Sequence, residues 1–223
     1  MMDDIDSDEQ PKRLSDFLGS FHEFLIVLVH CILYVRKVYP EPSFQRVRCY
    51  GIATFQSRHP KVCQWIEDMT TSCMSYIRKG SITKLSIVIL SQETNTPLER
   101  FSLDLRDFPV IDPDEQDLPL EGVAVTWGHL FQEYRSSLVT LTTLADTFGQ
   151  LPDETTFTII METRDGGSQE LPWITADRQK FEDRDPSLMA RPIRFVDAGP
   201  ISFNVWLEEN KLKQKLAATD DDS

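Results

Sequence analysis

The chain has 223 residues, 40% of them hydrophobic, with Asp+Glu 36 against Lys+Arg 23 and a formal net charge of -13 at pH 7. That length is enough for one domain with a substantial core. So acidic a chain, with no block of Lys and Arg, does not grip a phosphate backbone tightly by itself, because such binding needs concentrated cations and counterion release.

In chain order, the start is acidic (Asp3, Asp4, Asp6, Asp8, Glu9) where a signal peptide would be basic and then apolar. It reads as a disordered tail over 1–13, matched by a second over 211–223 that ends in Asp220, Asp221 and Asp222. From Leu14 to Tyr39 apolar residues fall on nearly every side of the helical wheel. This predicts a helix enclosed by other elements and stopped by Pro40 and Pro42. Its most apolar run, Phe24 to Val35, is about a dozen residues and too short to span a bilayer, so no membrane association is expected. Phe44 to Phe55 suggests short extended pieces.

Val62, Trp65, Ile66, Met69, Cys73, Tyr76 and Ile77 recur at three and four residues, with Pro60 suited to a first turn and Gly80 to an end; this predicts the second helix. Ile82 to Leu90 and Leu98 to Leu105 predict a hairpin in which Phe101, Leu103 and Leu105 point inward. An acidic, Pro-containing loop follows over Asp107 to Glu121. The third helix carries Leu130, Phe131, Tyr134, Leu138, Leu141, Leu144 and Phe148 on one stripe, with Gly149 at its end. Three helices are expected to cover one face of the sheet. Thr155 to Thr163 is strand-like, whereas Leu171 to Pro200 holds no period yet is too apolar for disorder, so it reads as an ordered strap. The last strand, Ile201 to Leu207, alternates Ile201, Phe203, Val205 and Leu207 with Ser202, Asn204 and Trp206. A tryptophan on the polar side of a strand suggests a recognition surface.

Catalytic signatures are missing: the sequence holds no phosphate-binding glycine loop, nucleophile elbow or zinc-protease motif. Cys31, Cys49, Cys63 and Cys73 lack zinc spacing and read as buried thiols in a reducing compartment. His22 and His30 read as an edge residue and a satisfied core residue. Asp112, Asp114 and Asp117 do not meet the calcium-loop pattern, which needs Gly at the sixth position and Glu at the twelfth. No metal, cofactor or enzymatic activity is expected, with an unrecognised hydrolase as the competing class.

Several blocks resemble HORMA domains, and among them the small accessory subunits of the translesion DNA polymerase zeta. They are His30-Cys-Ile-Leu-Tyr34-Val-Arg36-Lys-Val-Tyr39-Pro40, His59-Pro60, Ile87-Val88-Ile89-Leu90, Pro172-Trp173-Ile174 with Ala176-Asp177, and Asp185-Pro186. The resemblance implies an α+β fold of three helices on an antiparallel sheet, with a core over 14–163 and a mobile C-terminal safety belt over 164–210. It implies a nuclear adaptor, with the cytoplasm as a second location. The belt would wrap a proline-containing peptide of the polymerase catalytic subunit along Tyr39, Trp65 and Trp173. Leu188, Asn204 and Trp206 would bind the C-terminal domain of a Y-family scaffold polymerase. Arg135 would mediate self-association, as a homodimer or a HORMA-HORMA dimer. A spindle-checkpoint or meiotic HORMA adaptor with a different closure peptide is the alternative.

Overall fold

The computed structural model describes residues 7–152, 154–164 and 188–210. The outer parts of both acidic ends and most of the strap, Trp173 included, lie outside the described residues.

Helix α1 (Leu14–Val35) runs through the core. Asp16 Oδ2 accepts the amides of Arg13 (2.9 Å) and Lys12 (3.0 Å) at its start. With 22 residues, α1 is shorter than the Leu14–Tyr39 helix expected from sequence, yet it is apolar over more than the Phe24–Val35 run and is long enough, by length and composition, to span a bilayer. Its apolar sides instead meet protein, and Phe17, Phe21, Phe24, Leu25, Val29, Ile32 and Leu33 are fully buried. It stops at Val35, several residues before Pro40. Lys37 takes a left-handed φ of 53°, and its amide donates to Tyr34 O while that of Val38 donates to Leu33 O. These two bonds form a Schellman ending that needs no proline.

Strands β1 (Phe44–Cys49) and β2 (Ile52–Ser57) form a separate antiparallel hairpin. It turns at Tyr50 (φ 51°) and Gly51 (φ 75°), two consecutive left-handed residues that suit the twist of a tight hairpin. Helix α2 (Pro60–Arg78) has the expected limits.

Strands β3 (Ile82–Ser91), β4 (Pro97–Asp104), β5 (Thr155–Thr163), β6 (Leu188–Ala198) and β7 (Ile201–Asn210) make one antiparallel sheet in the order β5-β3-β4-β7-β6. Leu85 opposite Leu103, Ile87 opposite Phe101 and Val205 opposite Leu103 build the inner face beneath α1, where Phe203 meets Phe21 at 5.3 Å and Phe24 at 5.8 Å. Helix α3 (Trp127–Leu144) and α2 flank α1, and α3 also lies against β6.

Three expectations need correction. Gly149 does not cap α3; the helix tightens into a 3-10 turn at Ala145–Thr147, and Phe148 lies beyond it, buried against Phe101. The segment 7–13 does not trail as a tail: Leu120 N donates to Lys12 O, and the first two amides of α3, Trp127 and Gly128, donate to Glu9 O and Ser7 O, which satisfies helix-start donors. The end of the strap is regular strand, since β6 covers 188–198. Its period is hidden by a register shift between Pro192 and Arg194, where one extra residue reverses the in-out alternation partway along.

Candidate functional site

The sheet has two outer strands, and they differ in chemistry. β5 reads Thr155-Thr-Phe157-Thr-Ile159-Ile-Met161-Glu-Thr163, without Pro or Lys, and pairs on one side with β3. Among the described residues no strand pairs with its other side. β-branched residues favour the extended form, so this edge keeps a regular row of backbone donors and acceptors.

Three aromatic side chains converge at one end of that edge. The ring of Phe157 lies 6.3 Å from Tyr39 at 89° and 4.9 Å from Trp65 at 79°. Both are edge-to-face contacts of the kind aromatic quadrupoles favour. Tyr39 comes from the loop after α1, Trp65 from α2 and Phe157 from β5, and all three are half-buried. Burial pushes the Tyr39 phenol above its ordinary pKa, so it stays a hydroxyl donor at neutral pH. Thus two of the three residues expected along a peptide path come together, joined by Phe157. The signal for Phe157 was available: at two-residue spacing it falls on the same face as the inward-facing Ile159 and Met161.

The second expected surface lies on the opposite face of the sheet, at the β6–β7 end. At the centre this face is closed, with Ser86, Val88, Ser102 and Arg100 buried and the Ser86 and Ser102 hydroxyls 3.0 Å apart. Exposure rises toward β7, where Trp206 is 36% exposed, and β6, where Phe195 is 54% exposed. Phe195 stands opposite the half-buried Asn204, and Pro192 opposite Trp206. Leu188 opens β6 with its backbone opposite Asn210. Phe195 was hidden from the sequence reading by the same register shift that hid the strand.

Arg135 is held within the molecule. Its Nε donates to Tyr50 O at 2.8 Å, and its Nη2 lies 3.0 Å from where a Cβ on Gly51 would stand. It clasps the β1–β2 turn, which accounts for glycine at that position.

Charge pairs tie β4 to the end of α1 and β6 to its neighbours. Arg36 donates from Nε and Nη2 to the two carboxylate oxygens of Glu99 at 2.7 and 2.8 Å and from Nη2 to Gly149 O at 2.7 Å, with side-chain exposures of 6% and 0% for the pair. Glu99 sits opposite Glu209 of β7, Arg191 Nη2 lies 3.5 Å from Glu209, and Arg194 bonds Glu133 of α3 at 2.9 Å. The bidentate carboxylate partner is what allows the burial of Arg36.

The titratable groups found elsewhere have structural environments. His30 is buried, accepts the Ser57 amide at Nδ1 (3.4 Å), and is pushed down to about 4 by desolvation. The buried Cys31 and Cys73 thiols are pushed up to about 12 by desolvation, which keeps them protonated and unreactive.

The family model described as HORMA domain matches residues 19–166. The DNA polymerase zeta processivity subunit of Schizosaccharomyces pombe is 30% identical, with 89% of this chain and 93% of that protein aligned. The mitotic spindle assembly checkpoint protein MAD2B of Gallus gallus is 28% identical over 86% and 90%. Among solved structures, C. elegans HTP-2 bound to a HIM-3 closure motif superposes with a TM-score of 0.70, covering 94% of this chain and 98% of that one at 13% identity, a likeness of fold.

Proposed function

Because the chain belongs to the HORMA-domain family, we propose that it is the accessory adaptor of a DNA polymerase zeta, acting in synthesis across damaged DNA by holding a peptide of the catalytic subunit. The observation that carries this reading is the open β5 edge ending in the Tyr39–Trp65–Phe157 corner, on a chain aligned almost end to end with a polymerase zeta processivity subunit. An extended peptide gains affinity from main-chain hydrogen bonds to a sheet edge and specificity from side-chain pockets. A half-buried aromatic corner suits a proline, whose ring is apolar and whose missing amide donor matches a break in the ladder. Trp173 belongs to the same path in this reading.

The Trp206–Phe195–Asn204 face then serves a second partner, the C-terminal domain of a Y-family scaffold polymerase. Its aromatic content, on a face that is otherwise closed, supports a protein contact. The molecule works by binding, the polymerases supply the DNA contacts, and the nucleus is its place of action. Arg135 is compatible with self-association through α3 only if its clasp on the Tyr50–Gly51 turn is kept or exchanged.

The test is a pull-down with the proline-containing segment of the cognate catalytic subunit. Wild-type capture, weakened in Trp65→Ala and Trp173→Ala and spared in Trp206→Ala, is expected. Absence of capture by the wild type would reject the reading. Preference for spindle-checkpoint or meiotic closure peptides in direct competition would replace it with the alternative adaptor.

A further inference from the structure

The β1–β2 hairpin lies apart from both surfaces described so far. Arg46 and Arg48 are exposed and two positions apart on β1, opposite Phe55 and Ala53 of β2. They therefore share a face and stand about 6.6–7 Å apart along the strand. With Val47, Gly51, Ile52 and Ala53 they line an open depression of about 310 Å³. The clasping Arg135 brings a third guanidinium to the turn. Among the described residues neither Arg46 nor Arg48 has a carboxylate partner, although acidic residues outnumber basic ones by 36 to 23 in the chain. β1 pairs only with β2 there, so its outer edge is open like that of β5.

From this we infer that the hairpin docks an extended acidic peptide of a partner protein, added as a strand to the outer edge of β1, with carboxylates two residues apart meeting Arg46 and Arg48. The match is one of period: alternate side chains of an extended peptide repeat at the same interval as the two arginines. A nucleic acid is the other polyanion to weigh, and the surroundings oppose it. The nearby aromatic rings are already engaged, Phe55 stacked on Tyr34 at 3.5 Å and Tyr50 packed among Phe24, Phe131 and Tyr134. None offers a free stacking platform. A long polyanion would also run off a small basic patch onto an acidic molecule, whereas a short peptide ends with the patch.

The experiment is fluorescence polarisation of the full chain with a short labelled peptide alternating glutamate and valine, in low and high salt. A polythymidine oligonucleotide and a lysine-for-glutamate peptide run in parallel. The expected result is salt-sensitive binding of the glutamate peptide alone, weakened about tenfold or more in R46E/R48E. N-methylation of alternate peptide amides is expected to abolish it. The milder R46Q/R48Q, checked for unchanged thermal unfolding and unchanged capture at the β5 edge, keeps the test valid if charge reversal disturbs folding. No binding by the wild type, equal binding by the neutralised variant, indifference to N-methylation, or tighter binding of the oligonucleotide would each overturn the inference.

Discussion

The two ends of the five-stranded sheet handle the same problem in opposite ways. At the β6 end, Pro192 and a register shift interrupt the outer strand, and Arg191 and Arg194 stand beside them. Natural sheets use such features to block edge-to-edge pairing. Strand β6 is also tethered to α3 by Arg194–Glu133, while Arg36–Glu99 locks β4, the neighbour of β7, to the end of α1. At the β5 end there is no proline, no shift except near Ile82, and no lysine on the strand. An edge left regular beside three half-buried aromatic rings is the feature on which the proposed peptide pairing rests. Among the described residues, the sheet interrupts its β6 edge with proline and a register shift and leaves its β5 edge regular.

The largest expected effect falls on the buried pair that joins α1 to β4, beside β7. Glu99→Ala leaves the Arg36 guanidinium buried without its carboxylate and should lower unfolding stability by about 3–5 kcal/mol, measured by urea denaturation. The double change Arg36→Met with Glu99→Leu should recover most of it, since no buried charge remains. If Glu99→Ala costs nothing, the end of α1 is not held to β4 by this pair, and the charge tethering set against the bare β5 edge is weaker than described.

Acid should act on neither edge directly but on α1, where His30 meets β2. His30 is held neutral, with a folded pKa of about 4 against about 6.5 in an unfolded chain. Its contribution is present above about 6.5 and is lost as pH falls toward about 4, on the order of 2–3 kcal/mol over that window. His30→Asn should flatten the slope of stability against pH between those limits. An unchanged slope would assign the acid sensitivity elsewhere.

Trp65→Ala removes one wall of the β5 corner and should weaken peptide capture about tenfold to thirtyfold, read by isothermal titration, while the second partner binds as before. The smallest effect is expected from Trp206→Ala. With its indole 36% exposed, stability should shift by under about 1 kcal/mol, peptide capture should stay within about twofold, and only scaffold-domain binding should fall. Equal loss of both interactions in either variant would mean that the two ends of the sheet act as one surface.

Much of this arrangement was legible in the residues. The i, i+3, i+4 rhythm of Val62, Trp65, Ile66, Met69 and Cys73 gave α2, and the alternation of Phe101, Leu103 and Leu105 gave β4, because buried helices and half-buried strands impose different periods. Tyr39 and Trp65 were identified through the family resemblance, and the fold brings both onto Phe157. Phe195 was not legible, because the shift at Pro192 breaks the alternation that would have announced it. The burial of Arg36 was equally hidden, since its partner Glu99 is 63 residues away in sequence.

The amino-acid order alone determined the elements whose stability comes from neighbours close along the chain: the three amphipathic or fully apolar helices and the β3–β4 hairpin. Only the tertiary structure decided which strand became an open edge, which charge was buried with its partner, and which aromatic residues met. Those outcomes depend on pairings between distant segments, and local periodicity carries no information about which distant strand supplies the other half of a hydrogen-bond ladder.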